Sequence, residues 1–156
     1  MATSLSFDLH ALVARLDRSA DRILRAELGV SYRRFLSLFT VRELGATTQR
    51  ALAAGLNVSE PSVSRMTALL HEDGLLLVEA DPAGGNRRRL RVTPDGERLV
   101  DAGKDLLSRR FDELLEQSGI QVPAYARHTR MLLRTLEQEQ AHRPVPADAG
   151  ASPTAR

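Results

Sequence analysis

The chain has 156 residues, 42% hydrophobic and 27% charged, the size and balance of one globular domain with a substantial core. It contains no Cys, which excludes disulfides, thiolate metal sites and cysteine redox switching, and only 4% aromatics with no Trp, which argues against a large aromatic cavity. The net charge of +2 names no partner by itself, no apolar run reaches the roughly 18 residues of a membrane span, and Met1–Leu9 shows no basic segment followed by an apolar one, so a cytoplasmic protein without a signal peptide is expected.

In chain order, Leu9, Leu12, Val13, Leu16, Ala20, Ile23, Leu24 and Leu28 fall on one helical face, with Ser6 expected as N-cap and Gly29 as stop. Ser31 is expected to cap a second helix carrying Phe35, Leu38, Phe39 and Arg42 and ending near Gly45. Thr48 opens a short helix to about Gly55. Leu56-Asn57-Val58 is a tight turn, and Ser59 is expected to cap a helix running to Gly74 with Pro61 in its first turn. Leu75–Ala80, a turn over residues 81–86, and Arg87–Val92 read as a β-hairpin. On its second strand Leu90 and Val92 share one face and Arg87, Arg89 and Arg91 the other. Thr93-Pro94 then starts a long helix to about Glu116, a break follows near Gly119, and a last helix runs from Pro123 to about Gln140. That helix carries Tyr125, Thr129, Leu132, Leu133 and Leu136 on one side, and residues 143–156 lack periodicity and are expected to form a disordered tail.

The order α-α-α-α-β-β-α-α defines a mainly α fold with a small β-hairpin. Within it, Ala53, Asn57 and Val63 have the spacing of a helix-turn-helix. A small residue sits at the crossing, Asn where positive φ is needed, and an apolar anchor in the second helix. If Leu52, Leu56, Val58, Met66 and Leu70 face inward, the second helix presents Glu60, Pro61, Ser62, Ser64, Arg65 and Ala68 outward. Short hydroxyls and one arginine suit entry into a DNA major groove. A Gly-rich tip and four arginines between Arg87 and Arg91 give the hairpin the character of a wing that reaches phosphate or the minor groove.

The segments Thr48-Gln49-Arg50-Ala51-Leu52-Ala53, Asn57-Val58-Ser59, Val63-Ser64-Arg65, Asp73-Gly74-Leu75, Asp81-Pro82 and Leu90-Arg91-Val92-Thr93-Pro94-Asp95-Gly96 together resemble the MarR family of transcription regulators. That resemblance implies a homodimer and one domain over residues 1–142. Residues 6–28 and 94–140 would be dimerisation helices and 31–93 the winged helix-turn-helix lobe. It implies a repressor on a pseudo-palindromic operator in double-stranded DNA, often released by a small aromatic or anionic effector. Carried over by position, Ser62, Ser64 and Arg65, with Glu60 and Pro61, would meet DNA from the recognition helix. Thr48 and Gln49 would touch phosphate, and Asn86, Arg87, Arg88 and Arg89 would act in the wing. The family's usual Asp-Arg-Arg tip is replaced by Gly84-Gly85-Asn86, so Arg87 or Arg88 would have to stand in for the tip arginine. His10, Arg15, Tyr32 and Arg33 are polar enough to line the family's usual effector pocket.

Other chemistries have less support. His10, His71, His128 and His142 are not at ligand spacing, Glu72 and Asp73 point to different sides of a helix, and no nucleophile motif or phosphate-cradling loop is found. No metal, cofactor, enzyme activity or membrane association is therefore expected. The rival from another class is a winged-helix module used only for protein–protein contact, which has no need of exposed Arg65 and the Arg87–Arg91 run.

Overall fold

The computed structural model describes residues 4–43, 45, 47–81 and 88–142. Eight elements follow one another: α1 (Leu5–Leu28), α2 (Tyr32–Glu43), α3 (Gln49–Leu56), α4 (Glu60–Glu72), β1 (Leu76–Ala80), β2 (Arg88–Val92), α5 (Pro94–Ser118) and α6 (Val122–His142). The mainly helical class with one hairpin is as expected. Two compact units divide the chain, Met1–Arg110 and Phe111–Arg156, and α5 contributes to both.

Local chemistry sets most helix ends. Gly29 closes α1 at φ 66°, a left-handed conformation that costs glycine little. Ser31 Oγ accepts the Arg34 amide at 3.3 Å, and Asp21 of α1 accepts the Tyr32 amide at 2.9 Å, so α2 begins with two acceptors on its orphan N–H groups. Thr48 Oγ1 accepts the Ala51 amide, and Thr93 Oγ1 accepts that of Gly96 ahead of Pro94. One expectation is corrected: α1 starts at Leu5 with Ser4 as N-cap, so Ser6 lies inside the first turn, its hydroxyl 3.1 Å from that of Ser4. Two serines two residues apart compete for the cap, and the helix takes the earlier one. Ser59 holds the N-cap position of α4, but its hydroxyl pairs with Ser62 Oγ at 2.9 Å rather than with the backbone.

The core of the first unit gathers Leu24, Phe35, Leu38, Leu52, Val63, Leu70, Leu76, Leu90 and Val100 from every element between α1 and α5. The strands pair antiparallel, Leu76 opposite Val92 and Ala80 opposite Arg88, with Leu90 and Val92 buried and Arg89 and Arg91 exposed. A Cβ on Gly103 of α5 would lie 2.3 Å from the Phe35 ring, and one on Gly96 2.2 Å from the Leu75 carbonyl oxygen. Glycine therefore lets α5 pass close to α2 and to the start of the hairpin. Arg42 near the end of α2, its side chain 15% exposed, is the hub of an ion network. It contacts Glu43, Glu97 and Asp101 at 2.7, 3.1 and 2.8 Å, while Lys104 lies 3.3 Å from Glu43.

Hydrogen bonding from Arg25 and from the Tyr32 amide holds the Asp21 carboxyl below its ordinary pKa, and bonds from Arg42 and Lys104 do the same for Glu43. A carboxyl whose pKa is lowered on folding contributes stability that is complete above its unfolded pKa and lost as pH falls through the folded one. Acid titration of the thermal midpoint should show this loss beginning in the ordinary carboxylate range, with a shallower slope in Asp21→Asn. An unchanged slope would remove Asp21 from the account. Gly96→Ala should lower stability by about 1–3 kcal/mol, because the clash is with backbone that cannot turn away. Chemical denaturation measures it, and a neutral result would show that the α5 N-terminus can retreat.

Candidate nucleic-acid interface

The geometry of α4 follows from the turn before it. Asn57 adopts φ 52°, ψ 48° and donates its N–H to the carbonyls of Ala53 and Ala54, closing α3, and α4 starts three residues later. Asparagine tolerates this left-handed conformation better than most residues with a Cβ. Leu52 and Ala53 on α3 and Val63, Met66, Thr67 and Leu70 on α4 are buried. Rotation of α4 is therefore set by its apolar side, and the other side is left to solvent.

That outer side carries Glu60, Pro61, Ser64, Arg65 and Ala68, all exposed, with Ser62 partly buried. Among the described residues Arg65 forms no ion pair, in contrast to Arg34 and Arg42, which are matched with acids. An exposed guanidinium without an acidic partner can form a bidentate contact to a guanine edge or bind a phosphate.

Arg88 and Arg89 stand exposed on β2, whereas the expected contacts Asn86 and Arg87 and the wing tip lie outside the described residues, as does the expected tail. Arg89 Nε is 3.9 Å from Asp81 Oδ1, and Arg91 pairs with Glu79 at 3.4 Å across the hairpin. A long-range feature joins wing and helix-turn-helix. Thr48 forms an antiparallel bridge with Arg89, and the Leu90 amide donates to the Thr47 carbonyl at 2.8 Å. The first turn of α3 and the second strand of the wing thereby share backbone hydrogen bonds. Thr48 at the start of α3 thus lies against Arg89 of β2, with exposed Arg88 next along the strand.

Gln49 has a role that its position in the sequence did not suggest. Its Nε2 donates to Thr67 Oγ1 at 2.9 Å, and Thr67, fully buried, donates in turn to the Ser64 carbonyl at 3.1 Å. The chain of bonds ties the first residue of α3 to the middle of α4. Sequence reasoning also passed over Arg50 and Leu69, exposed on α3 and α4 respectively. Of the four side chains considered for an effector pocket, His10, Arg15 and Arg33 are exposed. Tyr32 is partly buried, its hydroxyl pKa raised by burial and by nearby Asp17. Among the described residues no group of three or more His, Cys, Asp or Glu could hold a metal ion, and no helix is long and apolar enough to cross a membrane.

A hairpin bonded to the edge of a helix-turn-helix, with exposed arginine on both, defines the winged helix-turn-helix class of DNA-binding fold. The MarR family profile matches residues 30–89, and a 100-residue stretch is 33% identical to an uncharacterised HTH-type transcriptional regulator of Mycobacterium leprae, covering 64% of this chain and 69% of that protein. The chain belongs to the MarR family of transcription regulators. Wild-type MarR of E. coli in its apo form superimposes with a TM-score of 0.75 at 18% identity, over 87% of this chain and 98% of that one. The MepR–DNA complex of S. aureus does so at 0.69 and 18% identity, over 88% and 99%, and a MarR-family regulator of Rhodococcus at 0.71 and 22%, over 86% and 97%. At these identities the solved structures establish a shared fold.

The Gln49–Thr67 bond should appear as a coupling of about 0.5–1.5 kcal/mol in a double-mutant cycle of Gln49→Met and Thr67→Val on folding stability. Strict additivity would return Gln49 to solvent and to phosphate contact alone.

Proposed function

We propose that this regulator is a repressor that binds a pseudo-palindromic operator as a homodimer and is released by a small-molecule effector. The observation that carries the DNA reading is the outer face of α4. Arg65 stands there among short side chains with no acidic partner among the described residues, and the wing adds exposed Arg88 and Arg89. Each protomer would lay α4 in a major groove, the two grooves about one helical turn apart, roughly 34–36 Å along the duplex. Arg88 and Arg89, with Asn86 and Arg87, would follow the adjacent backbone or minor groove.

Pairing is supported by apolar surface that a single chain leaves bare. In the first unit Leu5 and Phe7 at the start of α1 are 72% and 68% exposed. In the second, Met131, Leu132, Leu133 and Leu136 of α6 are each more than half exposed. Contiguous apolar surface of this kind marks an interface. Residues 6–28 and 94–140 would thus dimerise and 31–93 read DNA, with 1–142 acting as one functional domain in the cytoplasm. An effector acts by preferring one spacing of the two recognition helices over the other, since only differential affinity moves such an equilibrium.

Fluorescence polarisation on DNA from the protein's own promoter should show tight binding that weakens steeply with salt, as phosphate contacts demand. Arg65→Ala should cost about 1–3 kcal/mol and relax specificity at one operator position. A loss equal for every sequence would assign Arg65 to the backbone, and no binding at low salt would favour the protein–protein module. Sedimentation of the full chain as a monomer would remove the paired-helix mechanism.

A further inference from the structure

Among the described residues between 31 and 93, one large apolar side chain is left exposed: Leu69 of α4, at 53%. The other large apolar residues left to solvent lie on α1 between Leu5 and Val13, or at Leu114 and beyond, in the stretches proposed to pair. Leu69 belongs to neither. Val63, Met66, Thr67 and Leu70 supply the buried side of α4 without it. One aliphatic side chain is also too little for a protein partner, which needs about 800 Å² from each side. Its exposed neighbours one turn away, Arg65, Glu72 and Asp73, are charged. Leu69 follows Arg65 by four residues, about 6 Å along the helix axis, so the two share a stripe. Helical side chains lean toward the N-terminus, so the leucine covers the turn that carries the arginine. Ala68, exposed beside it, adds a methyl to the same spot.

We propose that Leu69 reads the 5-methyl group of one thymine in each half-site of the operator. This rests on the reading of α4 as the helix that enters the major groove, and adds to it a residue that sets specificity. The edges of the bases offer that groove hydrogen-bond donors and acceptors at every base pair, but a single kind of apolar group, the thymine C5-methyl. A leucine laid over a donor or acceptor takes water from a polar group and gives it no partner, which costs free energy. Laid over thymine it removes apolar surface from water on both sides of the contact. Leucine has no donor for a phosphate oxygen, so its contribution is a preference among sequences and carries no salt dependence.

The test uses the full-length protein and a short duplex that it enriches from a random pool. Each thymine of that duplex is replaced in turn by deoxyuridine, which lacks only the 5-methyl group, and binding is followed by fluorescence polarisation. At one thymine per half-site the replacement should weaken binding about fourfold, and about fifteenfold when both half-sites are changed. In Leu69→Ala, a change at an exposed helical position, the thymine and deoxyuridine duplexes should bind alike. A merely structural role for Leu69 would instead weaken both duplexes equally and leave the difference between them intact. Wild-type protein indifferent to deoxyuridine at every position, or a penalty that persists in Leu69→Ala, would overturn the assignment and leave the operator reading in place. A pool from which no sequence is enriched would overturn both.

Discussion

The reversal at Asn57 is the constraint on which the rest of the interface depends. One residue in left-handed conformation, its amide shared between two carbonyls of α3, decides where α4 starts and in which direction it leaves. Burial of Val63, Met66, Thr67 and Leu70 then fixes its rotation about its own axis. Two soft choices, the direction and the roll of a helix, are thereby removed before any nucleic acid is met. The bridge from Thr48 to Arg89 extends the same rigidity to the wing, since β2 cannot shift along β1 without breaking its bonds to the start of α3.

Electrostatics divides the arginines by task. Those that link elements of the first unit, Arg34 and Arg42, are matched with carboxylates and hold elements together. Those on α4 and the wing project outward. A chain whose formal charge is only +2 can still present exposed arginine at Arg65, Arg88 and Arg89, while Arg91 of the wing is matched with Glu79.

Much of this was legible in the sequence where the cause is local. Caps at Ser31, Thr48 and Thr93, the stop at Gly29, the turn at Asn57 and the alternation of Leu90 and Val92 each act within a few residues, and each stands where the pattern put it. The α1 start was misjudged because Ser4 and Ser6 carry the same signal and the choice between them is a matter of one extra half-turn. Features made by distant residues left no local trace. Gln49 and Thr67 are eighteen positions apart, so nothing in either segment announces their bond. Gly96 reads as a poor helix former in the first turn of α5 until the Leu75 carbonyl is seen beside it.

Arg42 has a further consequence for how such a fold drifts over time. Three acidic groups on two helices converge on one guanidinium, and one of the three is also held by Lys104. Glu97 and Asp101 of α5 reach Arg42 of α2, and Glu43 beside Arg42 reaches Lys104 of α5, so loss of either α5 acid leaves two ties between the helices. Replacing the arginine removes two of those ties at once, whereas replacing either acid of α5 removes one.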